Sequence, residues 1–202
     1  MAKTTGKKIA EAALTLFSEK GYLGTSMSDI AGVLGITKGA LYKHYRSKEE
    51  IFSHILSRMS EEDTERATEY DMPLADPKEV ASYRDTPAQK IRAYTLAQFD
   101  HWTKEPFAAR FRRMLTVEQY RSPEMARLYE QYLAAGPLEY MRAVFCEFCN
   151  SDEEAGEAAL AFYGPMHLLY SVYDGAEKKE KVVDMLKTHI DVFIEAMERK
   201  KK

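Results

Sequence analysis

Apolar residues recur along this chain at helical spacing nearly from end to end, and no stretch alternates as a half-buried strand would. Ile9, Ala13, Leu16 and Phe17 fall at i, i+4, i+7 and i+8, the stripe of a first helix with Thr5 as N-cap and Gly21 as its stop. Ser26-Met27-Ser28-Asp29 reads as a capping box with Asp in place of Glu, opening a helix with Met27, Ile30, Ala31 and Leu34 on one face. Gly35 ends it in the left-handed conformation that favours glycine. Thr37 caps a third helix of about two turns, and Ile36 and Leu41 stand at the spacing of a hydrophobic staple across its start. Ser47-Lys48-Glu49-Glu50 is a second capping box. It opens a fourth helix carrying Ile51, Phe52, Ile55, Leu56 and Met59 and reaching about Tyr70.

Residues 71–87 hold Pro73, Pro77 and Pro87 without clear periodicity, which predicts a long loop. Helices restart at Thr86-Pro87-Ala88-Gln89, at Pro106 and at Ser122-Pro123. Pro137 after Gly136 and Pro165 after Gly164 lie inside helical patterns and are expected to kink or break them. Ser151-Asp152-Glu153-Glu154 caps another helix, and the last runs from about Ala176 to Arg199. The pattern predicts an all-α fold of about nine helices, with a three-helix head over 1–48 and a helical body over 49–202.

Composition adds little to this, but the distribution of charge adds something. Of 202 residues, 45% are hydrophobic and 30% charged, an ordinary globular balance. No apolar run is long enough for a membrane span, and no secretory signal precedes the first helix, so a cytoplasmic location is expected. Residues 1–48 carry eight cations against three anions, net +5, whereas the remainder is net −8. A basic head on an acidic body fits a head that meets a polyanion; a chance fluctuation in surface charge is the other reading. Cys146 and Cys149 form a C-x-x-C, a spacing used by redox pairs and zinc half-sites. With no second Cys/His cluster beside them, two core-facing helical thiols are expected instead.

Candidate chemistry concentrates in residues 26–45. Two short helices joined tightly through Gly35 meet at a steep angle, with Ala31 where they approach most closely. In such a pair the second helix can enter a major groove while the first braces on the backbone. The third helix is poorly built for stability alone. Lys38 stands at its first turn, where the dipole favours an acid, and Gly39 sits inside it at a cost of about 1 kcal/mol relative to Ala. No carboxylate occurs from Ile30 through Lys48. Leu41 and Tyr45 can face the core and leave Lys38, Gly39, Tyr42 and Lys43 outward, a face suited to a phosphate-lined groove; a solvated basic face is the bland alternative.

The run Ile9 to Ile55 carries Thr25-Ser26-Met27-Ser28-Asp29-Ile30-Ala31, Gly35-Ile36-Thr37-Lys38-Gly39-Ala40-Leu41-Tyr42 and His44-Tyr45-Arg46-Ser47-Lys48-Glu49. In these elements, their order and their spacing it resembles the head of a TetR-family repressor. The resemblance implies that Thr25 and Ser26 touch phosphate from the start of the second helix. Thr37, Lys38, Gly39 and Ala40 would lie at the reading end of the third. Tyr42 and His44 would bind phosphate, as would Lys48 at the start of the fourth helix. Lys43 occupies a position often aromatic in the family, and Tyr45 one that is usually Phe. Read from the residues alone, His44 could equally be a core histidine.

A head of this kind reads near-palindromic operators in double-stranded DNA, which requires a dimer. The family places the dimer seam on the last two helices, where Ala158, Phe162, Leu169, Tyr173, Val183, Leu186, Ile190, Phe193 and Met197 are the candidate contacts. Phe99, Trp102, Phe107, Phe111, Met114, Tyr132, Met141, Phe145, Phe162, Met166 and Tyr170 could line a site for a largely apolar or aromatic effector, or could be plain core. Asp100, Glu118 and Glu139 leave room for a cationic ligand in an aromatic cage. By family resemblance such a ligand would shift the fourth helix, change the spacing of two heads and release DNA. The alternative is a regulator without an inducer whose body docks a protein. No paired carboxylates, nucleophile–base motif or metal-ligand spacing points to an enzyme, and neither cofactor nor metal is expected.

Overall fold

Helix α1 (Ala2–Lys20) buries the expected stripe of Ile9, Ala13, Leu16 and Phe17, widened by Ala10 and Leu14. Each large side chain so buried contributes about 1.5–3 kcal/mol. The structure is a computed structural model and describes residues 2–73, 87–146 and 148–200. Because α1 begins at Ala2, Thr5 lies within the helix and does not cap it. Gly21 ends it at φ +83°, and Gly35, at φ +64°, ends α2 (Met27–Val33) after the C-cap Leu34, as the sequence predicts. The elements that follow are α3 (Lys38–Tyr42), α4 (Lys48–Glu69), α5 (Ala88–Lys104), α6 (Pro106–Glu118), α7 (Pro123–Leu133), α8 (Ala135–Phe145), α9 (Asp152–Gly175) and α10 (Lys179–Lys200).

The described residues hold ten helices and no strand. α7 and α8 are separated by one residue, Ala134, just ahead of Gly136-Pro137, so the break expected there occurs. The freed end of α7 is satisfied by the buried Tyr163 hydroxyl, which donates to the Leu133 carbonyl at 2.8 Å. Pro165, by contrast, lies inside α9, which runs unbroken through it. Ser47 and Ser151 cap α4 and α9 by accepting from the Glu50 and Glu154 amides. Most of the loop expected over 71–87, with the cap expected at Thr86, lies outside the described residues.

The chain divides into two units, Met1–Asp63 with Glu105–Tyr129, and Thr64–Lys104 with Glu130–Lys202. In the first, α1 packs along α6, and α2, α3 and the first part of α4 complete the head. In the second, α9 packs on α8, α10 and α5. An Arg92–Asp191 ion pair, 2.6 Å at its shorter contact, ties α5 to α10. These bounds differ from the division at 48/49 because α4 begins there and continues the packing of the head.

Candidate DNA-binding head

The start of α2 is fixed by a reciprocal cap. The Asp29 amide donates to the Ser26 hydroxyl at 3.2 Å, and the Ser26 amide and hydroxyl donate to the Asp29 carboxylate at 2.8 and 2.5 Å. The Ser26 hydroxyl, then its amide, hold the Asp29 carboxyl below its ordinary value. A depressed carboxyl contributes stability above its ordinary pKa and loses it as pH falls through the depressed value. Asp29→Asn, which mimics the protonated acid, should therefore lower the melting temperature at neutral pH. The gap to wild type should close on acidification, and a gap independent of pH would contradict this linkage.

Thr37 caps α3 by accepting from the Ala40 amide at 3.1 Å. Leu41 is fully buried and Tyr45 nearly so, which turns Thr37, Lys38, Gly39, Tyr42, Lys43 and His44 to the outside, with Ala40 half-buried. The exposure of His44 excludes the core-histidine reading. The Lys38 ammonium lies 5.8 Å from the centre of the Tyr42 ring, so both side chains share one patch. The Tyr45 hydroxyl donates to the Gly6 carbonyl at 3.3 Å, a bond to α1 that Phe could not make. Burial, then the Glu50 charge, raises the phenol's pKa above its ordinary value.

Two positions differ from what the resemblance implies. Thr25 is buried, 2% exposed, and its hydroxyl donates back to the Gly21 carbonyl at 2.9 Å, so its side chain faces inward. Lys48 Nζ donates to the Tyr22 and Thr25 carbonyls at 2.7 and 2.9 Å and lies 4.3 Å from the Tyr22 ring centre. Only Ser26 of the Thr25-Ser26 pair is exposed. Sequence reasoning missed Tyr22, whose ring packs on Phe17 and Phe52. It also missed Glu118, 2% exposed, which pairs with Arg121 at 2.8 Å. A Cβ on Gly21 would lie 2.6 Å from Arg121 and 2.9 Å from Glu118. A tyrosine directly after a helix-ending glycine was the available signal for the first; nothing local signalled the second.

Residues 9–55 match the model of the bacterial regulatory proteins of the tetR family. The chain is a tetR-family regulator. Over 45 residues it is 56% identical to IcaR of Staphylococcus epidermidis, the negative transcriptional regulator of the icaADBC biofilm operon; the match covers 22% of this chain and 24% of IcaR. Over 54 residues it is 43% identical to the transcriptional regulator AcrR of Shigella flexneri, covering 27% and 25% of the two chains. These matches span about a quarter of the length of the curated relatives. Similarity of fold extends further. A transcriptional regulator from Aquifex aeolicus superposes with a TM-score of 0.66 at 18% identity, covering 93% of this chain and 98% of the other. SmeT in complex with triclosan does so with a TM-score of 0.64 at 18% identity, covering 96% and 91%. The relatives described by function are regulators, not enzymes.

In the regulator's body the eleven candidate effector contacts divide between the two units. Phe107, Phe111 and Met114 are buried on α6 in the first unit, where the Arg58 guanidinium lies 3.8 Å from the Phe107 ring centre. In the second unit Phe99 stacks on Tyr170 at 5.4 Å, and Phe145 and Phe162 meet each other at 5.3 Å and both meet Phe193. Trp102, Met141 and Met166 are buried there, and Tyr132 is half-buried. The three acids suggested for a cationic ligand are already engaged: Asp100 by Lys104, Glu118 by Arg121 and Glu139 by Arg142.

Of the nine candidate dimer contacts, Phe162, Leu169, Tyr173, Leu186 and Ile190 are buried within the chain's own fold, while Ala158, Val183, Phe193 and Met197 are half-buried. The surfaces left uncovered are Leu160, Leu168 and Val172 on α9 and Met185 and Val192 on α10. Cys146 and Cys149 are free and half-buried. They lie past the end of α8, Cys146 as its C-cap, which corrects the expectation of core-facing thiols within a helix. Glu147, between them, lies outside the described residues.

Proposed function

We propose that the regulator is a dimeric repressor that binds a near-palindromic operator and releases it when a small, largely apolar or aromatic molecule enters the body. The observation that carries the DNA reading is the outward face of α3. Lys38, Gly39, Tyr42, Lys43 and His44 are exposed together on a helix fixed from behind by Leu41 and Tyr45, in a segment with no carboxylate. Cations and hydroxyls contact phosphate, and the side chains that reach base edges specify sequence. The half-buried Ala40 and exposed Lys38 at the start of α3 suit base contact; Tyr42, Lys43, His44 and Ser26 suit phosphate.

Dimerisation is supported by α9, whose residues 158–173 include no Asp, Glu, Lys or Arg although one side of the helix is open. An apolar strip on a regular helix is the surface a second copy would cover. The effector reading is supported by the ring-rich body and by the likeness in fold to SmeT, which was solved with triclosan. If the rings are closed core, the body serves instead as a protein-docking surface. Thermal stabilisation by a panel of hydrophobic compounds separates the two, since an inducer that binds the folded state raises the melting temperature.

A gel shift on the DNA flanking its own gene tests the DNA reading. Wild type should form a sequence-preferring complex at physiological salt, and the lack of one would sink the proposal. Tyr42→Phe should weaken binding to all duplexes by a similar factor, whereas Lys38→Ala should change which duplex is preferred.

A further inference from the structure

We propose that Lys48 is a positioning residue of the head, one that holds the Gly21–Thr25 turn against the first turn of α4 and does not meet a DNA phosphate. The inference rests on the DNA-binding reading above and reassigns one of its residues. An ammonium group has three donors and no acceptor. Two of those on Lys48 reach the Tyr22 and Thr25 carbonyls at 2.7 and 2.9 Å, and the Tyr22 ring lies against the same group at 4.3 Å. The half-buried ammonium is thus surrounded by protein groups that take the place of water.

The turn it holds is the one that aims α2. Thr25 immediately precedes Ser26, the N-cap of α2, so the position of the Thr25 carbonyl sets where that helix begins. The turn's other bonds are internal, from Thr25 Oγ1 to the Gly21 carbonyl at 2.9 Å and from the Thr25 amide to the Tyr22 carbonyl at 3.4 Å. They shape the turn without attaching it to α4. Attachment comes from Lys48 and from Tyr22, whose ring packs 5.1 Å from Phe52 and whose hydroxyl donates to Glu49 at 3.4 Å. On its far side the turn rests on the Glu118–Arg121 pair beside Gly21. To bind phosphate, Lys48 would have to leave both carbonyls, and part-buried acceptors without a donor are costly.

The two roles separate in the salt dependence of binding. A lysine that neutralises a phosphate contributes about 0.9 to the slope of log K against log salt, and a positioning residue contributes none. Lys48→Met, Lys48→Arg and Lys43→Ala in the full-length chain would be titrated by fluorescence anisotropy against a duplex from the DNA flanking its own gene. Lys48→Met should bind about tenfold or more weakly at every salt concentration with the wild-type slope. Lys48→Arg, able to donate to both carbonyls, should recover most of the affinity. Backbone amide exchange over residues 22–29 should quicken in Lys48→Met and stay unchanged in Lys43→Ala.

A slope lowered by about 0.9 per protomer in Lys48→Met would overturn the inference, as would wild-type affinity in that variant. Should Lys48→Met fail to fold, Lys48→Gln supplies the same slope comparison with one donor group retained. A wild type with no preference for the duplex counts against the DNA reading itself. Preference retained alongside a lowered Lys48→Met slope counts against this inference alone.

Discussion

Leu168→Asp should convert the dimer to a monomer and weaken operator binding about a hundredfold or more. Leu168 is 64% exposed on α9, the largest exposure among the apolar side chains of that helix's open strip, and Leu160 and Val172 lie two and one turns from it. A two-fold interface presents the same strip from both copies, so a single substitution buries two carboxylates in an apolar seam. An unpaired buried charge costs about 3–5 kcal/mol, enough to dissociate a dimer of ordinary affinity. Two heads held together bind adjacent half-sites with an avidity of about 10²–10⁴ over one head, and that factor disappears with the dimer. Leu168 faces away from the chain's own core, so the monomer should keep its helical content. Light scattering and circular dichroism check the two halves of this expectation, and a Leu168→Asp dimer would place the seam elsewhere.

The second large effect is expected at Gly21. Its φ of +83° is a conformation that costs a side-chain-bearing residue about 1–2 kcal/mol, and β-branching makes it worse. A Cβ there also meets Arg121 and Glu118 at 2.6 and 2.9 Å. Arg121 is half exposed and can swing away, but Glu118 is 2% exposed and relies on it. Displacing the arginine leaves a buried carboxylate without its partner, the more costly half of the change. Gly21→Val should therefore destabilise the first unit by about 3 kcal/mol or more. Thermal unfolding followed by circular dichroism should show a melting temperature lowered by several degrees; an unchanged one would mean that the turn and the ion pair adjust independently.

What the sequence made legible was local. A cap, a left-handed glycine or a staple involves residues within about five positions. Ser26 with Asp29, Gly35, Thr37 and the inward pair Leu41 and Tyr45 are therefore all readable from their immediate neighbours along the chain. The head resemblance was legible for the same reason, since its motif is built from such local devices. Thr25 was not, because its burial depends on a lysine 23 residues further along the chain. The dimer strip was missed for a different reason. α9 is apolar on two sides, and periodicity marks both alike without revealing which one the chain's own α8, α10 and α5 will cover. Phe162 and Leu169 went to the core, and Leu160 and Leu168 were left outside. Cys146 and Cys149 were misplaced because the helical pattern gave no sign that α8 ends at Phe145.

Footprinting of the DNA flanking the regulator's own gene tests the central claim, that α3 reads DNA from a dimer, most directly. Wild type should protect two half-sites whose centres are one helical turn of DNA, or a multiple of it, apart. Lys38→Ala should lose or relocate that protection while remaining a folded dimer. Uniform weak protection along the fragment, identical for wild type and Lys38→Ala, would contradict the claim.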